Sequence, residues 1–133
     1  SEGFTTLRGG THGVTNHLLD TPWPKLQLGC RWLDEALGNS TLTTPELHDL
    51  LVHRFADTAP ARDTDLPDTG VGLELERVLS PVFIRGSQYG TRATTVVTIT
   101  REGTAEITEQ AYGPSGTRGS LQHFRFDTLS PQS

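Results

Sequence analysis

Between Asp20 and Phe55 the chain writes a helix-opening signal twice, and after Pro81 the pattern changes to that of strands. The first signal is Asp20-Thr21-Pro22: a side chain able to cap free backbone N–H groups, then a proline at the first helical position, where its missing N–H costs nothing. Trp23, Leu26, Cys30, Leu33 and Leu37 follow at spacings of three and four. That spacing predicts one apolar helix face running to about Leu37, with Gly38-Asn39 as the stop. Thr44-Pro45-Glu46 repeats the signal, and Leu47, Leu50, Leu51 and Phe55 form the second face, ending near Ala56 or Asp57.

Extended segments flank this helical middle. Thr5-Thr6-Leu7 reads as a strand, Arg8-Gly9-Gly10 as a turn, and His12 to Asn16 as a second short strand. Residues 57–72, with Asp57, Asp63, Asp65 and Asp68, read as an exposed, mobile loop. One or two helical turns are predicted over Leu73–Leu79, stopped by Pro81, and Val82-Phe83-Ile84 reads as a short buried strand. Thr94–Thr100, a turn at Arg101-Glu102-Gly103 and Thr104–Tyr112 form a hairpin. After a loop over Gly113–Gly119, Leu121–Phe126 is a last strand, with a loose tail from residue 128. Helices grouped together and strands grouped together predict an α+β layered domain, not alternating βαβ units.

Composition narrows the function classes. The 133 residues fit one domain; 33% are hydrophobic without its 14 glycines, against a roughly 45–50% apolar share of ordinary domains that counts glycine. Such a chain builds a thin core and is expected to finish burying its surface against something else. The net charge is -5, lysine is almost absent and the arginines are scattered, which argues against nucleic-acid binding. No apolar run reaches the roughly 18 residues of a membrane span. The single cysteine, Cys30, allows no internal disulfide, so a reducing, cytoplasmic setting is expected. Cys30 lies on the predicted apolar face of the first helix, where it reads as a small buried hydrophobe. His12 and His17 are five apart, as are His48 and His53; neither spacing puts a pair on one helical face, so no metal site is expected. The aspartates of 57–68 lack calcium-loop spacing.

Two stretches are more specific. Gly13-Val14-Thr15-Asn16-His17-Leu18-Leu19-Asp20-Thr21-Pro22-Trp23-Pro24-Lys25 and Tyr89-Gly90-Thr91-Arg92-Ala93-Thr94-Thr95-Val96-Val97 stand in order along the chain. Together they resemble the C-terminal half of the NRDE-motif family, also called the Transport and Golgi organisation protein 2 family, over about Gly10 to Phe126. Thr15 stands where members usually carry serine. The resemblance implies an N-terminal-nucleophile (Ntn) hydrolase-like fold: two stacked antiparallel sheets between helical layers. Residues 1–133 would form the C-terminal portion of that single domain, supplying later helices and strands. The N-terminal half of the domain is the implied partner. In family members it carries a cysteine after the start methionine and the Asn-Arg-Asp-Glu motif, and this chain contains neither. Ser1 falls mid-domain by the same resemblance and is not expected to be a nucleophile.

What the resemblance implies for chemistry is an Ntn-type hydrolase acting on the amide (C–N) or ester bond of a small acyl substrate, with its nucleophile outside this chain. Asn16 resembles the asparagine of choloylglycine-hydrolase-type amidases, whose side-chain N–H stabilises the oxyanion; a turn or cap role is the plain alternative. Arg92 is the second catalytic candidate, able to orient a substrate carboxylate with its fork of donors, against a structural ion pair. Thr91, Tyr89 and Arg85 are expected to contact substrate, and Gly90 to serve backbone conformation. The alternative reading is a non-catalytic carrier of haem or an acyl lipid on the same fold. His12 or His17 would then be an axial ligand, against the reading that both are surface histidines. No other cofactor is expected.

Overall fold

The structure, a computed structural model, describes residues 3–15 and 19–128. Among them lie α1 (Pro24–Leu37), α2 (Thr44–Arg54), α3 (Leu73–Leu79), β1 (Ala93–Ile99), β2 (Thr104–Tyr112) and β3 (Arg118–Asp127). The strands form one antiparallel sheet in the order β1-β2-β3. This is the expected α+β arrangement, with helices and strands segregated along the chain. No helix among the described residues is long and apolar enough to cross a membrane.

The helix openings differ in detail. α2 starts as its sequence signal predicts: Glu46 N donates to Thr43 Oγ1 at 3.2 Å, and Thr43 N donates to Glu46 Oε1 at 3.1 Å. This reciprocal pair satisfies two of the orphan donors of the first turn. α1 starts two residues later than predicted, at Pro24 with Trp23 in the cap position and no side-chain cap bond. Asp20 does not cap it. Asp20 turns the chain at φ 55, and its carboxylate accepts from Gly13 N at 2.8 Å and pairs with His12.

The fully buried residues of α1 are Gly29, Trp32 and Ala36; of the predicted stripe, Trp23, Leu26, Cys30 and Leu33 are half-buried and Leu37 is exposed. Gly29 packs directly under Phe55: a Cβ built there would stand 3.4 Å from the Phe55 ring, at ordinary contact distance. Trp32 then meets Phe55 edge to face at 5.6 Å. Ala36, Leu51, Val52 and Val96 form the core, with Leu33, Leu47, Leu50 and Phe55 packed on it.

The α2–sheet interface is polar at its centre. His48 is 1% exposed and bonds Thr108 Oγ1 through Nδ1 at 2.7 Å and Thr98 Oγ1 through Nε2 at 2.8 Å. A hydroxyl can donate or accept, so both tautomers of the neutral ring are satisfied. Beside it, the buried Glu106 carboxylate accepts from His123 Nε2 at 3.1 Å and lies 3.7 Å from Arg125 Nε. Buried Gln110 donates to Ala111 O at 2.9 Å and Gly119 O at 3.1 Å, where the β2–β3 register shifts. The opposite face of the sheet is different. Val97, Ile107 and Phe124 form one cross-strand row, and Ile99, Ala105 and Phe126 the next. Val97, Ile99, Phe124 and Phe126 are each at least half exposed.

Three sequence expectations are corrected. No strand forms among described residues 3–15. Residues 82–84 are buried or half-buried but not a strand, because their donors go elsewhere: Phe83 N to Asp57 O at 2.9 Å and Ile84 N to Thr91 Oγ1 at 3.0 Å. The connection over 57–72 is pinned. Arg77 grips Asp63 through Nε at 2.8 Å and Nη2 at 2.6 Å, and Ala61 N donates to Ser80 Oγ at 2.9 Å. The expected tail beyond Thr128 lies outside the described residues.

Two outcomes follow from this packing. Thr43→Ala removes the cap of α2 and is expected to lower unfolding free energy by about 1 kcal/mol, read by urea denaturation. Burial holds the His48 pKa below its ordinary value, with Glu106 and Asp49 opposing and His123 reinforcing. Below about pH 6.5 the unfolded ring takes a proton that the folded ring resists, so stability falls as pH drops through that value and levels off below the folded pKa. Comparing urea midpoints at about pH 7.5 and about pH 5.5 is expected to show a steeper loss in the unaltered chain than in His48→Gln.

Candidate functional site

Trp23, Pro24 and Lys25 of the first sequence word and Tyr89 of the second meet across one cavity of about 550 Å³. Its walls are the start of α1, the pinned connection, α3 and the loop before β1. That loop is drawn tight. Thr91 N donates to Ile84 O at 3.0 Å, and Ile84 N donates to Thr91 Oγ1 at 3.0 Å. A Cβ at Gly86 would fall 1.8 Å from Tyr89 O, and one at Gly90 2.8 Å from Ile84 O. Both glycines are therefore required by close backbone approach. Gly90 serves the backbone, as expected from the sequence.

Charges of both signs line the cavity: Lys25 against Glu76 and Asp68. Lys25 Nζ, half-buried at the first turn of α1, donates to Leu79 O at 3.0 Å. Desolvation lowers its pKa, and the nearby Glu76 carboxylate acts in the opposite sense. Glu76 is 6% exposed; its Oε1 accepts from Thr69 N at 2.8 Å and from the Thr69 hydroxyl. Leu66, Val71 and Ile84 add apolar wall, with the Trp23 and Tyr89 rings beside them. An ammonium donor, a carboxylate acceptor and apolar walls can hold a small molecule that carries both polar characters.

A second cavity of about 420 Å³ shares Trp23 and Lys25 with the first and is lined also by His12, Thr15, Leu26 and Cys30. His12 Nδ1 lies 2.8 Å from Asp20 Oδ2, and Nε2 lies 2.9 Å from Arg8 O. Both partners are acceptors, so the imidazolium, which donates from both nitrogens, fits best. The Asp20 bond above all, then the Arg8 carbonyl, raises the His12 pKa, while His12 lowers that of Asp20. Axial ligation of haem by His12 would require breaking one of these bonds. Burial, with Asp20 and Asp34 adding to it, raises the Cys30 thiol pKa, which suits an inert thiol. Among the described residues, the buried Thr15 Oγ1 finds no hydrogen-bond partner.

The structure disperses the other candidates. Arg85 is exposed and lines a third cavity, of about 510 Å³, with His53, Gln110 and Arg118; its Nε donates to Ser115 O at 3.4 Å. Arg92 is exposed just before β1, and neither it nor Thr91 lines any of the three cavities. The Thr91 hydroxyl and N–H are engaged in the loop frame. Asn16 and His17 lie outside the described residues. Sequence reasoning missed Glu76 and Thr69, whose pairing spans the polar connection and one short helix. Among the described residues, no group of three or more His, Cys, Asp or Glu side chains is placed to hold a metal ion.

A family model described as Transport and Golgi organisation 2 matches residues 1–114. The chain is 32% identical over 112 residues to the Transport and Golgi organization protein 2 homolog of Homo sapiens, covering 79% of this chain and 40% of that protein. It is 30% identical over 112 residues to the Transport and Golgi organization 2 homolog of Mus musculus, with the same coverage. The chain thus spans about 40% of the length of the curated relatives it matches.

The His12–Asp20 pair makes a direct test of this geometry. The folded His12 pKa is expected above about 6.5, so the pairing is present below that value and is lost as pH rises through the folded pKa. NMR titration of the imidazole is expected to show the raised midpoint, and Asp20→Asn to return it toward about 6.5.

Proposed function

This chain belongs to the Transport and Golgi organisation 2 family, and on that footing we propose that it is the C-terminal portion of a hydrolase domain. The domain cleaves an amide (C–N) or ester bond in a small acyl substrate, with a nucleophile supplied from outside these residues. The observation that carries this reading is the meeting of the two family words at one cavity: Trp23 and Lys25 on one side, Tyr89 on the other. Asn16 directly follows Thr15, which lines the adjoining cavity. In this reading the Asn16 amide donates to the oxyanion of the tetrahedral intermediate. The frame bonds of Thr91 hold Tyr89 at the cavity wall.

The bare outer face of the sheet supports the same reading. Val97, Ile99, Phe124 and Phe126 form a contiguous apolar surface that a second sheet of an Ntn-type sandwich would cover. That sheet would come from the part of the family's length that this chain does not span. A second reading rests on Leu66, Val71 and Ile84: the same apolar wall would suit carrying an acyl chain without cleaving it.

Turnover separates the two. The full-length protein, assayed with acyl p-nitroanilides and p-nitrophenyl esters, is expected to release the chromophore. Asn16→Ala is expected to lower kcat by about 10²–10³-fold with the circular dichroism spectrum unchanged. Binding of the probes without release, or an unchanged kcat in Asn16→Ala, overturns the hydrolase reading.

A further inference from the structure

We infer that the cavity between Lys25 and Glu76 binds the zwitterionic head of an α-amino acid with an apolar or aromatic side chain. This concerns binding alone and stands apart from whether the protein cleaves a bond. The first ground is charge. Lys25 carries the positive charge on the cavity wall, and Glu76 and Asp68 the negative charges. Lys25 and Glu76 satisfy themselves on different partners: Lys25 on Leu79 O, Glu76 on Thr69 N and the Thr69 hydroxyl. They act on each other only through space. Charges drawn out of water are costly unless paired, and a ligand with a carboxylate for Lys25 and an ammonium for Glu76 completes both at once. An ammonium has three donors, so the bond to Leu79 O leaves two for a ligand carboxylate.

The second ground is the sign of the sum. One cation against two carboxylates makes the wall net negative, which disfavours a simple anion and suits a ligand whose ammonium lies toward Glu76 and Asp68. Asp68 is held in place, its Oδ1 accepting from Gly70 N at 3.1 Å. The third ground is what surrounds the charges. Leu66, Val71 and Ile84 with the rings of Trp23 and Tyr89 offer an apolar compartment for a side chain. The volume of about 550 Å³ lies within the roughly 300–1,000 Å³ of small-molecule sites.

The test is calorimetric titration of the full-length protein with three probes: L-phenylalanine, N-acetyl-L-phenylalanine, which lacks the ammonium, and L-phenylalaninamide, which lacks the carboxylate. L-phenylalanine is expected to bind, and each analogue to bind at least about tenfold more weakly, the loss of roughly one charge-assisted hydrogen bond. Lys25→Gln is expected to weaken L-phenylalanine by a similar factor while leaving the already weak L-phenylalaninamide nearly unchanged. Glu76→Gln is expected to do the converse with the acetylated probe. If Glu76→Gln disturbs the Thr69 contacts and the fold, Lys25→Gln and the analogues still decide. No binding of L-phenylalanine, equal binding of all three probes, or unchanged binding in Lys25→Gln overturns the inference.

Discussion

The imidazole of His48 is the joint on which the layers of this chain turn. It stands on α2 and reaches Thr98 on β1 and Thr108 on β2, fastening one helix to two strands at once. A thin apolar core makes that joint matter more. Ala36, Leu51, Val52 and Val96 are small or medium residues, and the space beside them is filled by His48, Thr108, Glu106 and Gln110, all buried. Buried polar groups stabilise a fold only when each is satisfied, and here each has partners: hydroxyls for the ring, His123 for Glu106, backbone carbonyls at the register shift for Gln110. Such partners are directional, so they fix the rotation of α2 over the sheet in a way a few aliphatic contacts could not.

The two faces of the sheet follow from this arrangement. The face toward α2 combines Val96 with satisfied polar groups, while the far face carries Val97, Ile99, Ile107, Phe124 and Phe126. In most isolated layers the apolar face is the buried one. Here the helix side is held largely by hydrogen bonds, while the far face keeps its large apolar side chains exposed. β3, exposed along its whole length, closes the sheet on one edge.

Much of the fold was legible in the sequence, and the failures have specific causes. α2 was readable because its capping box is local: Thr43 and Glu46 need only each other. β2 matched its predicted limits because the turn at Gly103, with φ 87, and the alternation agree. The fully buried residues of α1 were not readable. A scan for large apolar residues skips Gly29 and Ala36, which are buried because they are small. Asp20 looked like a cap, but its carboxylate found Gly13 and His12 instead, a choice that depends on where the preceding chain folds back. The connection over 57–72 read as mobile because its anchors, Arg77 and Glu76, lie on the next helix and no short window contains both ends. The site was legible as words, Trp-Pro-Lys and Tyr-Gly-Thr-Arg. It was not legible as roles: Thr91 turned out to hold the loop, and Arg85 to face another cavity.

The cavity owes its shape to the parts that looked least structured. Lys25 is tied to the end of α3 through Leu79 O, and α3 is tied back to the connection through Arg77–Asp63 and Glu76–Thr69. The loop carrying Tyr89 is closed by Ile84 and Thr91, with Gly86 and Gly90 permitting the approach. Three short segments without sheet pairing are thus tied together by side-chain and loop hydrogen bonds, and Lys25, Thr69, Glu76, Leu79 and Ile84 of those ties also line the cavity. A scaffold that needed only to bridge α2 and β1 would have no use for a half-buried Lys25 and a buried Glu76, because aliphatic residues would pack the same space without a desolvation cost. Lys25 and Glu76 instead keep opposite charges, bonded to different partners, beside the apolar wall of Leu66, Val71 and Ile84.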